Sequence, residues 1–159
     1  MLAAALLRDR TEEQAALVFA LKKYLDLVLL PSPGLTGGIK PDGTGFHHGG
    51  FYPAYTSDGY AGLTPIVALM SGTGFQISPQ AHEWLKKSVL MMRTYANKLQ
   101  WALTVCNRHP TGTDAMKIQP FQWLLQAGSP DGTAALDPEV GAAFLRLLPP
   151  APNSVQKAL

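Results

Sequence analysis

The chain has 159 residues, of which 47% are hydrophobic and 15% charged, with a formal net charge of +2. A length of this order suits one domain with its own core, and the composition excludes a disordered tail. The small net charge excludes a general nucleic-acid or polyanion binder, so any acidic ligand must be met by local clustering of charge.

In chain order, Met1 to Leu7 is apolar without a basic leader and runs into Arg8, Asp9 and Arg10, which reads as a helix stub rather than a signal peptide. Thr11 followed by Glu12, Glu13 and Gln14 resembles a capping box. Leu17, Leu21, Tyr24, Leu25, Val28 and Leu29 then recur at helical spacing up to Pro31. Lys22, Lys23 and Asp26 interrupt this stretch, the best candidate for a membrane span, which would need ~20 apolar residues, so a soluble chain is expected.

From Pro31 to Asp58 the dense glycine, proline and aromatic content predicts a long ordered loop. A short helix is expected over Pro65 to Met70, stopped by Gly72 and Gly74. Ser78 and Pro79 open the next helix. The stripes Trp84, Ser88, Met91, Tyr95, Leu99, Ala102 and Leu85, Val89, Met92, Ala96, Leu103 predict that it continues to about Leu103. Weaker helices are expected over Phe121 to Gln126 and, after Asp137 and Pro138, over Glu139 to Leu148. Nothing alternates with period two over a useful length. The fold class is therefore mainly α, with helix pairs joined by irregular loops in a domain over 1–148, and a proline-rich tail over 149–159.

Cys106 is the single cysteine, which excludes an internal disulfide and a cysteine zinc cluster. The densest group of reactive side chains lies between Lys40 and Tyr60, where His47, His48, Tyr52, Tyr55, Asp58 and Tyr60 stand among glycines that allow close ligand approach. Adjacent histidines invite a metal reading. Neighbouring side chains on extended backbone point apart, however, and no HExxH or carboxylate partner completes a site, so no metal is expected.

On composition alone His47 and His48 could serve by hydrogen-bonding the loop backbone, and Tyr52 could be a packing anchor. Tyr55 has a further prospect, since a positive neighbour stabilises phenolate and Arg108 could supply one. Arg108 could equally be a cation at a helix C-terminus. Trp101 and Trp123 could stack on sugars, but their setting favours core packing. Nucleophile elbows, phosphate loops, dinucleotide fingerprints and a glycosidase carboxylate pair are not legible.

The segment Gly38 to Tyr55, GIKPDGTGFHHGGFYPAY, resembles the catalytic loop of polysaccharide lyase family 8, the family of the chondroitin ABC lyases. In that family an IKPDGTxFxH segment leads to YPxY. Its histidine falls on His48 and its last tyrosine on Tyr55, while an Arg-His-Pro sequence falls on Arg108, His109 and Pro110.

The resemblance implies an incomplete α/α toroid of helical hairpins, followed in longer relatives by antiparallel β domains that supply a catalytic glutamate. It implies β-elimination on uronic-acid-containing glycosaminoglycans, chondroitin and dermatan sulfates first, with His48, Tyr55 and Arg108 as catalytic residues. Lys40, His47, Tyr52 and His109 are expected to bind substrate, with no cofactor and no metal. The implied partner is an acidic polysaccharide together with C-terminal β domains of a longer chain, and the implied location is secreted or periplasmic. A catalytically incomplete polysaccharide-binding piece, a helical packing domain, or a lyase for another uronate polymer such as hyaluronan are the alternatives.

Overall fold

The computed structural model describes residues 2–105 and 115–149. Cys106, Arg108, His109, Pro110 and the tail from Pro150 onward lie outside the described residues. The described part is mainly helical, as the sequence predicts, with no helix long and apolar enough to cross a membrane.

Helix α1 (Leu2–Leu6) is the expected stub, and α2 (Thr11–Val28) buries Val18, Leu21 and Leu25 on one face at intervals of three and four residues. The anticipated capping box is not formed. Arg10 occupies the N-cap without a side-chain cap, and Thr11 is already helical. The corner between the two helices is closed instead by Gln14, whose Nε2 donates to the carbonyls of Leu6 (3.1 Å) and Arg8 (2.7 Å).

The predicted loop from Pro31 to Asp58 is only partly a loop. It contains a small antiparallel sheet in the order β1 (Gly38–Ile39), β2 (Gly45–His47), β3 (Gly50–Phe51), with Ile39 opposite Gly45 and His47 opposite Gly50. These strands are too short for alternation to register in the sequence. The β1–β2 turn is tied by Asp42, whose Oδ1 accepts from the Thr44 backbone (2.9 Å) and hydroxyl (2.7 Å). These bonds hold the Asp42 carboxyl below its usual range.

Helix α3 spans Pro53–Met70, so it begins twelve residues before the expected Pro65 start and absorbs Tyr55, Asp58 and Tyr60. Pro53 opens it, where a missing N–H costs nothing, and Pro65 sits inside it. Gly59 and Gly62 disfavour a helix locally. Packing overrides them through a buried stripe of Pro53, Ser57, Tyr60, Thr64 and Val67, whose small and polar members hide the apolar period.

Helix α4 (Pro79–Met91) starts as expected, with Ser78 Oγ accepting from the Ala81 N–H at 3.2 Å. It stops well short of Leu103. Tight turns at Arg93 and Thr94 lead into a hairpin of β4 (Ala96–Asn97) and β5 (Gln100–Trp101), with Lys98 at φ 54° in its turn. Trp101 is buried and packs near Tyr95, which answers its core reading.

Helix α5 (Gln119–Gln126) and helix α6 (Pro138–Leu147) are found close to expectation, the latter capped by Asp137, which accepts from the backbone of Glu139 and Val140 at 3.0 Å each. Leu85, Val89, Met92, Phe121, Leu124 and Val140, all fully enclosed, form the centre where α4, α5 and α6 meet. This core supports α3, and α3 carries the candidate site.

Candidate functional site

The β2–β3 hairpin turns through His48 and Gly49 at φ 51° and 79°. Positive φ at both central residues is the turn whose twist suits a two-residue hairpin, and glycine at the second position supplies it without strain. His48 pays for its place with a conformation that favours asparagine or glycine.

This backbone overturns the expectation that the two imidazoles point apart. That argument assumed extended backbone, whereas left-handed His48 folds its ring onto His47, with centroids 4.0 Å apart and planes 21° from parallel. Among the described residues no three His, Cys, Asp or Glu side chains converge as metal ligands.

Two tyrosines complete the cluster. Tyr52 and Tyr55 lie three apart at the start of α3, and their rings stand 4.3 Å apart. Tyr55 is 5.4 Å from the His47 ring and 5.9 Å from the His48 ring, while Tyr52 is 6.2 Å and 5.8 Å from the same two. Four of the residues singled out in the sequence therefore share one patch. His47 and His48 are exposed, Tyr55 is half-buried and Tyr52 is only 5% exposed. The Tyr52 hydroxyl is enclosed and makes no hydrogen bond among the described residues.

The hairpin and the helix are locked together. Tyr52 N–H donates to the Gly45 carbonyl at 3.3 Å, and Thr56 donates to the Tyr52 carbonyl from both its N–H (3.0 Å) and its hydroxyl (2.9 Å). A Cβ on Gly45 would overlap the Thr56 side chain. In the sequence Gly45 reads as a loop glycine, and its contact with Thr56 carries no sequence signal of its own.

Lys40 is engaged elsewhere. Its ammonium donates to the carbonyls of Gly34 (2.8 Å) and Thr36 (2.5 Å) and to Ser32 Oγ (3.1 Å), and it lies over the Phe46 ring at 4.5 Å. Those contacts take up its donors and fold the 32–36 segment onto the sheet. Beside the ring cluster, an apolar groove of about 340 Å³ runs between α2, the sheet and α3, lined by Val28, Ile39, Phe46, His47, Tyr55 and Leu63 among others.

Chemically, the patch offers a phenol flanked by two imidazoles on a rigid hairpin–helix junction. Such groups can take up, hold and return a proton at one locus.

Known proteins resemble this chain over most of its length. The chain is 42% identical over 142 residues to a chondroitin sulfate ABC exolyase of Proteus vulgaris, which covers 89% of this chain and 14% of that protein. It is 35% identical over 157 residues to a chondroitin sulfate ABC exolyase of Bacteroides thetaiotaomicron, covering 99% and 16%, respectively. A chondroitin sulfate ABC endolyase of Proteus vulgaris is 30% identical over 140 residues, covering 84% and 14%. The chain thus spans 14–16% of the length of these curated relatives. The family model described as "Lyase, catalytic" matches residues 1–154, and the chain belongs to that family.

Proposed function

We propose that the chain is part of a polysaccharide lyase that cleaves uronic-acid-containing glycosaminoglycans by β-elimination, with chondroitin and dermatan sulfates as first substrates. The observation that carries this reading is the cluster in which Tyr55 stands within 6 Å of both the His47 and His48 rings.

Elimination begins with removal of the proton on C5 of the uronate, which is weakly acidic until the adjacent carboxylate is neutralised and the developing enolate-like charge is held. Tyr55 acts as general base and then as general acid toward the glycosidic oxygen. His48 helps to take the C5 proton or orients the uronate, and Arg108 supports the tyrosinate and the sugar carboxylate. The bond from C4 to the glycosidic oxygen breaks as the C4–C5 double bond forms. The product ends in a 4,5-unsaturated uronate and no water is consumed. His47, Tyr52 and His109 contribute to substrate binding, and Lys40 shapes the loop beside it. The chemistry requires no organic cofactor.

Further parts of the reading follow from the family resemblance: an incomplete α/α toroid around the described helices, β domains of a longer chain that bring a glutamate to Tyr55, and a secreted or periplasmic location. A second reading stands beside it. Because the chain spans 14–16% of its relatives' length, it could by itself bind acidic polysaccharide without turning it over.

The test is to incubate the chain, and the full-length protein, with chondroitin sulfate, dermatan sulfate, hyaluronan and heparin while following the ultraviolet absorbance of unsaturated uronate. A rise abolished by Tyr55→Phe is expected from the full-length protein. Saturable binding without a rise from either would favour the binding reading, and no binding at all would remove the site assignment.

A further inference from the structure

The first turn of α3 holds Tyr55 by more than its junction with the sheet. Ser57 lies two residues further on, about 200° around the helix and therefore on the face opposite Tyr55. It is 1% exposed, and its Oγ accepts the Lys117 backbone N–H at 2.8 Å. The Lys117 ammonium meets Asp58 Oδ1 at 2.6 Å. The segment they grip is itself fixed: Met116 is 2% exposed and its N–H donates to the Leu99 carbonyl at 2.6 Å, while Ala115 bridges to Gln100 of β5.

The N-cap of α3, Tyr52, provides no side-chain cap. The orientation of this first turn is therefore set by two clamps on adjacent residues: the Gly45–Thr56 interlock toward the sheet, and the Ser57–Lys117 pair toward the β4–β5 hairpin.

We infer that Ser57, backed by the Asp58–Lys117 ion pair, is a positioning residue that holds the Tyr55 turn against the imidazole pair. This rests on the lyase reading of Tyr55. Ser57 touches no substrate. Its hydroxyl anchors a backbone N–H of the neighbouring segment, so losing it frees the helix turn to rock and carries the Tyr55 ring away from its working position.

The experiment uses the full-length protein with Ser57→Ala, and Ser57→Thr as the variant that keeps the oxygen. With chondroitin sulfate, Ser57→Ala should lower kcat about tenfold with KM within about twofold, and Ser57→Thr should restore most of the loss. A wild-type kcat in Ser57→Ala, or a change in KM alone, would overturn the inference. In parallel, hydrogen–deuterium exchange should rise in peptides covering 53–60 and stay unchanged in 79–91. Unaltered exchange in 53–60 also overturns it.

If Ser57→Ala does not fold, Asp58→Asn at the exposed ion pair should give the same pattern more weakly, and its absence counts against the inference. Should the wild-type protein give no unsaturated product, the lyase reading is what fails, and the exchange comparison alone then decides whether Ser57 holds the Tyr55 turn.

Discussion

The imidazole of His48 stacks on that of His47 at 4.0 Å because His48 takes φ 51° at the tip of the β2–β3 hairpin. Two roles coincide at this residue, a backbone role in the turn and a side-chain role in the ring cluster, and substitutions can separate them. Asparagine tolerates the left-handed region, so His48→Asn should keep the fold within about 0.5 kcal/mol in urea unfolding. It should nevertheless lower formation of unsaturated uronate by about 10²-fold or more, the usual contribution of a proton-transfer group. His48→Val, β-branched and poorly suited to this φ, should cost about 1–2 kcal/mol as well. Equal activity in His48→Asn and wild type would remove His48 from the chemistry.

Tyr52 presents the opposite balance. Its ring is buried against Tyr55, yet its enclosed hydroxyl has no partner among the described residues. An unpaired buried hydroxyl costs about 1–3 kcal/mol, which an apolar isostere does not incur. Tyr52→Phe should therefore be as stable as wild type or more stable. If the hydroxyl serves substrate, KM for chondroitin sulfate should rise at the same time, a gain in stability matched by a loss of binding. Unchanged KM in a stabilised variant would return Tyr52 to a packing role.

The interlock beneath the cluster gives a third expectation. Thr56 is β-branched and its hydroxyl is already committed to the Tyr52 carbonyl, so it cannot turn aside for a Cβ on Gly45. Gly45→Ala should cost about 1–3 kcal/mol by overpacking. Much of that should return in the double variant Gly45→Ala/Thr56→Ala, a coupling measurable by a double-mutant cycle in denaturant. Strict additivity would mean that the two elements are not locked as described.

Which of these features the sequence announced follows from where local signals and packing agree. Asp137 before Pro138 and Ser78 before Pro79 each combine a capping oxygen with a fixed φ, and both helices begin there. Thr11 carries the same type of signal, but Arg10 takes the cap and Gln14 closes the corner through contacts six and eight residues away, which no local motif encodes. The start of α3 was hidden because its buried face uses Ser57 and Thr64 in place of aliphatic residues. The end of α4 was hidden for the converse reason: Tyr95, Leu99 and Ala102 keep a helical spacing although the chain there turns through a hairpin. In the candidate site, residue types and order were legible from Lys40 to Tyr55. The stacking of His47 on His48 was not, since it depends on the sign of one φ, and the engagement of Lys40 with Ser32, Gly34 and Thr36 required the loop to be seen folded.

A last expectation concerns His82, which the proposed chemistry does not use. It lies on α4, 2% exposed, with Nε2 enclosed and unpartnered among the described residues. Burial holds its imidazole below the ordinary value of 6.5; the Asp137 carboxylate pulls the other way, and the Lys86 ammonium adds to the lowering. The sign follows from which state takes the proton first. With the folded value depressed, the unfolded chain is protonated at higher pH, so the stability owed to the neutral buried ring is fully present above 6.5 and is lost as pH falls from there through the folded value. The carboxylates Asp26 and Asp42 are held below 3.8, and Asp131 is at about 2, so they lose their contribution in a lower window. Urea midpoints at about pH 7.5 and 5.5 should therefore fall more steeply for wild type than for His82→Leu, in which an apolar side chain replaces the titrating one. Equal falls in the two proteins would show that His82 does not set the acid sensitivity of this core.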